Sequence, residues 1–296
     1  MPGLKEVRLR IASVKSTQQI TNAMKMVAAS KLRRAQNAIL RLRPYAAKLR
    51  EILQNLSSSI ENSQESVFSQ ERPNEKVILV VLTSNRGLCG AFNSNVIKTT
   101  VGLLNSTYSA QMRSNNLRLI TIGRKGSEFF RKRKYPVLES RDDLFDSLTF
   151  DRVSELAETL MKKFAGKEVD SIALVYNQFK NAASQRLVVE QYLPIAPAPR
   201  EKGKKETKLE ADYIFEPDKE TIVRELIPKT LRIQLFKAVL DSFASEQGAR
   251  MTAMHQATDN AQNLLRELNL SYNKARQAAI TKELLEIVSG AEALKG

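Results

Sequence analysis

One cysteine and one histidine stand in 296 residues, and tryptophan is absent. With Cys89 alone, no internal disulfide can close and no multi-cysteine zinc site can form, and His255 has no second imidazole with which to build a metal cluster. A Ser-His-Asp or Cys-His mechanism would have to run through His255, which lies in a helical stretch 166 residues from Cys89. Long apolar runs are missing too. The longest, Val77–Leu82, falls far short of the ~20 residues that span a bilayer, and the first residues lack the apolar core of a secretory signal. The glycines of SNRGLCGAFN (84–93) follow a strand pattern, but the stretch has no Gly-Lys-Ser/Thr ending and no third glycine at dinucleotide-binding spacing. It reads as a tight strand-to-helix turn. These absences predict a soluble chain in a reducing compartment with no catalytic, cofactor or metal site.

Positive charge, in contrast, is abundant. The net charge is +15; residues 1–50 hold 12 Lys or Arg against one acid, Glu6, while 11 basic and 10 acidic residues nearly cancel from Asp218 onward. The basicity is accordingly assigned to one element. Alternate steps of three and four residues from Leu4 through Val7, Ile11 and Val14 to Ile60 visit seventeen positions, of which fourteen are apolar. That 3.5-residue repeat predicts a coiled-coil helix over 1–60, kinked at Pro44. Gln18, Thr21 and Lys25 interrupt the seam, and Ile20, Met24 and Val27 predict an apolar stripe displaced one step round the helix. The same stepping from Phe236 through Met254, Ala261, Leu264 and Ser271 to Leu285, interrupted at Gln247 and Arg250, predicts a second seamed helix within 218–296, with a kink or restart at Pro228. Two such helices at opposite ends of a chain should pair antiparallel.

Between them the pattern changes. KVILVVLTSN (76–85), LRLITIG (117–123), VDSIALVYN (169–177) and RLVVEQYLPI (186–195) read as strands, with helical stretches at 94–105 and 151–165. The alternation predicts a Rossmann-like α/β domain with a mainly parallel sheet over 76–217. Residues 61–75 read as a linker and the basic segment near 198–210 as a mobile loop. The expected fold class is therefore α/β, with a long antiparallel coiled coil of the terminal helices beside that domain.

The stretch TNAMKMVAASKLRRAQ (21–36) combines small residues with an almost purely basic polar face. A solvated helix face normally mixes signs to form i,i+4 pairs, which this one does not. A basic coiled coil that binds nucleic acid would place its charges before the seam and not along it, and residues 1–44 contain no aromatic ring for base stacking. An acidic protein partner surrounding the helix is the third reading. All three remain open on these residues alone.

IASVKSTQQITNAMKMVAASKLRRAQ, RGLCG, SEQGARMTAMHQATDNAQ and YNKARQAAITKELLEIVSGAEAL, in that order along the whole chain, resemble the gamma subunits of F-type rotary ATP synthases. The resemblance implies a non-catalytic shaft without a cofactor, set in a ring of alpha and beta subunits and joined at its foot to the epsilon subunit and the membrane rotor ring of c subunits. Proton flow would turn the shaft and drive the catalytic beta sites through their affinities. The absence of a cysteine-bearing insertion implies no thiol regulation. The implied location is peripheral, at the cytoplasmic face of a bacterial inner membrane.

By the same resemblance, Met24 is a coupling residue expected beside Arg250, and Lys25, Lys31, Arg33 and Arg34 face acidic loops of the beta subunits. Arg276, Gln277 and Thr281 form a polar catch for a beta-subunit loop. Leu284, Leu285, Ile287 and Val288 form an apolar bearing tip that passes beyond the N-terminus of the partner helix. Phe215, standing where the family commonly has tyrosine, and Glu216 would touch the rotor ring.

Overall fold

The computed structural model describes residues 4–58, 67–70, 72–182, 184–195 and 219–293. Phe215, Glu216 and the 198–210 segment lie outside the described residues, as do residues 61–66 and 71 of the 61–75 linker. The chain divides into two compact units, one made of Met1–Ala29 with Arg250–Gly296 and the other of Ser30–Ala249. Two long helices contribute to both units: α1, Leu4–Ser58, and α6, Lys219–Ala293. Pro44 and Pro228 both lie inside unbroken helix, so no restart occurs at Pro228.

The larger unit holds a five-stranded sheet in the order β3-β2-β1-β4-β5. Strands β1 (Val77–Leu82), β2 (Leu117–Ile122), β3 (Val137–Ser140) and β4 (Ser171–Phe179) run parallel, and β5 (Gln185–Leu193) returns antiparallel to β4. All six residues of β1 are buried, because a central parallel strand is covered on both faces and its apolar run need not alternate. One face of the sheet packs Ile78, Val80 and Leu82 against α5 (Phe150–Ala165) and against Leu231, Leu235 and Val239 of α6. The other packs Val77, Leu79 and Val81 against Val96 and Leu104 of α2 (Phe92–Asn105) and Phe130 of α4 (Arg124–Lys132).

Four elements carry no clear signal in the sequence: the short helix α3 (Ser109–Arg113), α4, the edge strand β3 and a single 3-10 turn over Asp142–Phe145. Strand β3 reads Val-Leu-Glu-Ser and none of its residues is fully buried, so it lacks the β-branched run that marks its neighbours. Helix α4 is mostly charged, with only Gly126, Ser127 and Phe130 buried.

Candidate functional site: the paired terminal helices

In the smaller unit, burial on α1 repeats every three or four residues: Leu4, Val7, Ile11, Val14, Gln18, Thr21, Lys25 and Ala28 are each buried or half-buried. The seam therefore keeps its register through Gln18, Thr21 and Lys25. The expected displaced stripe does not form, since Ile20 and Val27 are 58% and 56% exposed. Polar residues hold the seam because their counterparts on α6 suit them. The Thr258 hydroxyl bonds the Thr21 hydroxyl at 2.9 Å, and the buried Ala261 leaves room for a longer side chain opposite.

That bond fixes the register. In an antiparallel pair, residues at one level have numbers with a constant sum, here 279 as for 21 and 258. Among the covered positions on α6, Met251, Met254, Thr258, Ala261, Leu265, Leu268, Tyr272 and Ala275 then stand level with the eight positions named on α1. Two expected seam positions are replaced by their neighbours: Leu265 and Tyr272 are half-buried, whereas Leu264 and Ser271 are exposed. Leu4 is level with Ala275, and every residue from Arg276 to Glu292 is exposed. Burial on α6 ends where α1 runs out.

This arrangement locates the implied site residues. Met24, half-buried, is level with His255, and Arg250, 8% exposed, is level with Ala29, so the two differ by about one and a half helical turns and are not directly opposite. Arg276, Gln277 and Thr281 are exposed on the overhang, where the Thr281 hydroxyl bonds back to the Gln277 carbonyl at 3.0 Å. Leu284, Leu285, Ile287 and Val288 are 57%, 62%, 68% and 56% exposed. They occupy consecutive turns of helix with no cover from this chain.

The larger unit carries the next part of the basic face of α1. Lys31, Arg33 and Arg34 are exposed while Leu32, Ala35 and Ile39 are buried. Among the described residues, neither these three cations nor Lys25 makes an ion pair.

The glycine loop after β1 is spent on itself. Asn93 accepts from the Ser84 amide (2.9 Å) and donates to Ser84 Oγ (2.8 Å) and Cys89 Sγ (3.3 Å). Gly90 sits at φ 58°, a conformation that glycine adopts without a steric cost. At the start of α4, the Arg124, Lys125 and Gly126 amides are taken by Asn85 Oδ1 (3.0 Å), the Ser84 carbonyl (3.0 Å) and Thr83 Oγ1 (2.8 Å). A phosphate would need those same donors. The strand order nonetheless creates a switch point between β1 and β4, where ligands enter many α/β folds. There α6 closes in: the Ser245 hydroxyl bonds the Asn177 carbonyl at 3.0 Å, and a Cβ added to Gly248 would stand 3.0 Å from the Ala182 carbonyl oxygen.

A further cluster, part buried and part half-buried, gathers round Glu190. Tyr176 donates to Glu190 Oε2 (2.6 Å) and Gln234 Nε2 to Glu190 Oε1 (2.7 Å). Asp241, 3% exposed, is pushed up to about 6, chiefly by burial and against the pull of Lys237 and Arg43, while Glu190 adds to the rise. Its sequence signal was slight: an acid among apolar residues of the seamed helix. Among the described residues, no group of three or more His, Cys, Asp or Glu could hold a metal ion.

Comparison with known proteins gives the context for these helices. The profile of a family described as ATP synthase matches residues 3–294. The chain is 53% identical over 297 aligned positions to the ATP synthase gamma chain of Flavobacterium psychrophilum, and 54% identical to that of Flavobacterium johnsoniae, each alignment covering 100% of both chains. Among solved structures, a chain of the Euglena gracilis mitochondrial ATP synthase (OSCP/F1/c-ring) shares the fold, with a TM-score of 0.70, 24% identity and coverage of 98% of this chain and 94% of that one.

Proposed function

The chain belongs to the ATP synthase gamma-chain family, the central stalk of the F-type enzyme, and on that premise we propose how its residues couple rotation to catalysis. It is a non-catalytic stalk subunit, and the nucleotide chemistry belongs to the beta subunits. The paired terminal helices turn inside the ring of alpha and beta subunits, and the α/β domain meets the epsilon subunit and the c-ring. No described helix is long and apolar enough to cross a membrane, and the epsilon subunit and the c-ring link the chain to it. The complex sits on the cytoplasmic face of the inner membrane.

The observation that carries this reading is the overhang. A helix with four large aliphatic side chains more than half exposed, beyond the end of its partner, is stable in water only at a cost that an enclosing apolar sleeve removes. Arg276, Gln277 and Thr281, one to two turns before that tip, present hydrogen-bonding groups to a beta-subunit loop. The exposed cations Lys31, Arg33 and Arg34, with Lys25 at the edge of the seam, meet acidic loops of the beta subunits. Contacts of that kind form and break at each step, for which diffuse charge suits better than interlocked packing.

The test mixes the chain with alpha and beta subunits of the same source and measures mass and Mg-ATPase activity. One copy per six-subunit ring with raised turnover is expected. A folded chain that stays outside the ring, or that binds DNA tightly with steep salt dependence instead, rejects the shaft reading. Within the assembly, changing Lys25, Lys31, Arg33 and Arg34 to Ala should lower torque most at low salt. Met24→Lys, which puts a second cation beside Lys25 at the edge of the seam, should leave hydrolysis while reducing proton pumping.

A further inference from the structure

The positive charge does not belong to α1 alone. Residues 92–140 hold nine Lys or Arg against Glu128 and Glu139, whereas residues 141–170 hold eight acids against five basic residues. The fold sorts these segments onto opposite sides of the sheet. Helices α2 and α4 pack on the face of Val77, Leu79 and Val81, and α5 packs on the face of Ile78, Val80 and Leu82. The α/β domain is thus electrically two-faced, and the shaft function does not account for it.

The basic face is densest at the end of α4. Arg131, Lys132, Arg133 and Lys134 are consecutive and exposed, and Arg113 and Arg124 are exposed on the same side of the sheet. Among the described residues none of the six makes an ion pair; Arg133 lies over the Phe129 ring, 3.9 Å from its centroid. The patch has charge without an apolar anchor: Phe129 and Phe130 are turned to the core, and Leu138 is the large apolar side chain left exposed on β3. Protein interfaces favour arginine, which this patch has, but they also centre on aromatic or methionine anchors, which it lacks, and they are depleted in lysine, which Lys132 and Lys134 supply here. A run of cations with no fixed counterpart matches a surface of interchangeable anions.

We propose that the α2–α4 face of the α/β domain, centred on Arg131–Lys134, docks on the anionic headgroups of the membrane beneath it. The proposal rests on the stalk reading, which puts this domain at the membrane end of the shaft. Attraction through a headgroup layer acts over about a Debye length and needs no fixed stoichiometry, so it can persist while the domain turns. It would keep the foot of the shaft close to the bilayer without anchoring it.

The assay floats the assembly of this chain with its alpha and beta subunits on vesicles of phosphatidylcholine alone or with 30% phosphatidylglycerol, in low and high salt, and compares the wild type with two variants. One carries Arg131→Gln, Lys132→Gln, Arg133→Gln and Lys134→Gln. The other carries the α1 changes Lys25→Gln, Lys31→Gln, Arg33→Gln and Arg34→Gln. Binding to the anionic vesicles alone, abolished by salt and weakened about tenfold or more by the α4 variant but not by the α1 variant, is the expected result. Equal binding to both vesicle types overturns the proposal, as does an α4 variant that binds like the wild type. If the α4 variant keeps its vesicle binding but loses a subunit from the purified complex, the patch serves an acidic protein and the lipid reading falls. Assembly is scored separately: a chain that fails to join the ring refutes the shaft reading, and the same flotation on the free full-length chain still decides the lipid question.

Discussion

The helix pair and the α/β domain are built on opposite principles. The domain buries strands completely, with Leu79, Leu119, Ile120 and Leu174 at 0% exposure between two layers of helix. The pair buries one residue in every three or four, many of them Ala, Thr or Gln, and from Arg276 to Glu292 it buries none. The first is a body whose shape is fixed by its own packing. The second is a narrow element that leaves most of its surface for others, and its cohesion rests on register more than on area.

Hydrogen exchange gives the broadest test of this contrast. Amides of β1 should exchange only with global unfolding, and those of 276–292 should exchange orders of magnitude faster in the free chain. Comparable protection in both would break the comparison. Core truncation sharpens it: Leu119→Ala should cost about 3 kcal/mol in urea unfolding.

Asp241 gives the next largest effect, with a defined sign. Because burial raises its folded value to about 6 from an ordinary 3.8, the native state holds a proton that the unfolded chain has already released between those values. Its contribution to stability is therefore highest below pH 4, falls through that window, and is lowest above pH 6. Asp241→Asn should stabilise the chain by about 2 kcal/mol at pH 7.5 and by nothing below pH 4, read from urea midpoints across pH. A gain that is flat with pH would remove the titration from the account.

In the helix pair the effects shrink. The Thr21→Val and Thr258→Val double-mutant cycle should give a coupling of about 1 kcal/mol, the worth of one partly buried hydroxyl bond. Changing Leu284, Leu285, Ile287 and Val288 to Ser should alter the stability of the free chain by less than about 0.5 kcal/mol per residue, while turnover of the assembled ring falls. A large loss in the free chain would mean that the tip packs within this chain after all.

How much of this was legible depended on what each pattern encodes. The heptads of α1 and the runs of β1, β2 and β4 were readable because periodicity and buried apolar runs are local signals. The shift from Leu264 to Leu265 and from Ser271 to Tyr272 was not, because it is set by the register against α1, which only the partner's geometry fixes. Gln18, Thr21 and Lys25 are ambiguous for the same reason: polarity within one helix does not reveal that Thr258 and Ala261 stand on the other. Strand β3 and helix α4 were hidden by their charge and short length. The Arg131–Lys134 run was plain in the sequence, yet it was masked by the larger excess on α1 until the sheet separated residues 92–140 from 141–170. The buried acid Asp241 needed tertiary structure, because its neighbours Arg43 and Glu190 lie far away in sequence.

That separation of charge also makes the α/β domain an electric dipole directed across its own sheet. A dipole turns in a field before anything touches it. Near a charged plane, it would choose its facing while still several ångströms away, and reversing the sign of that plane would reverse the choice.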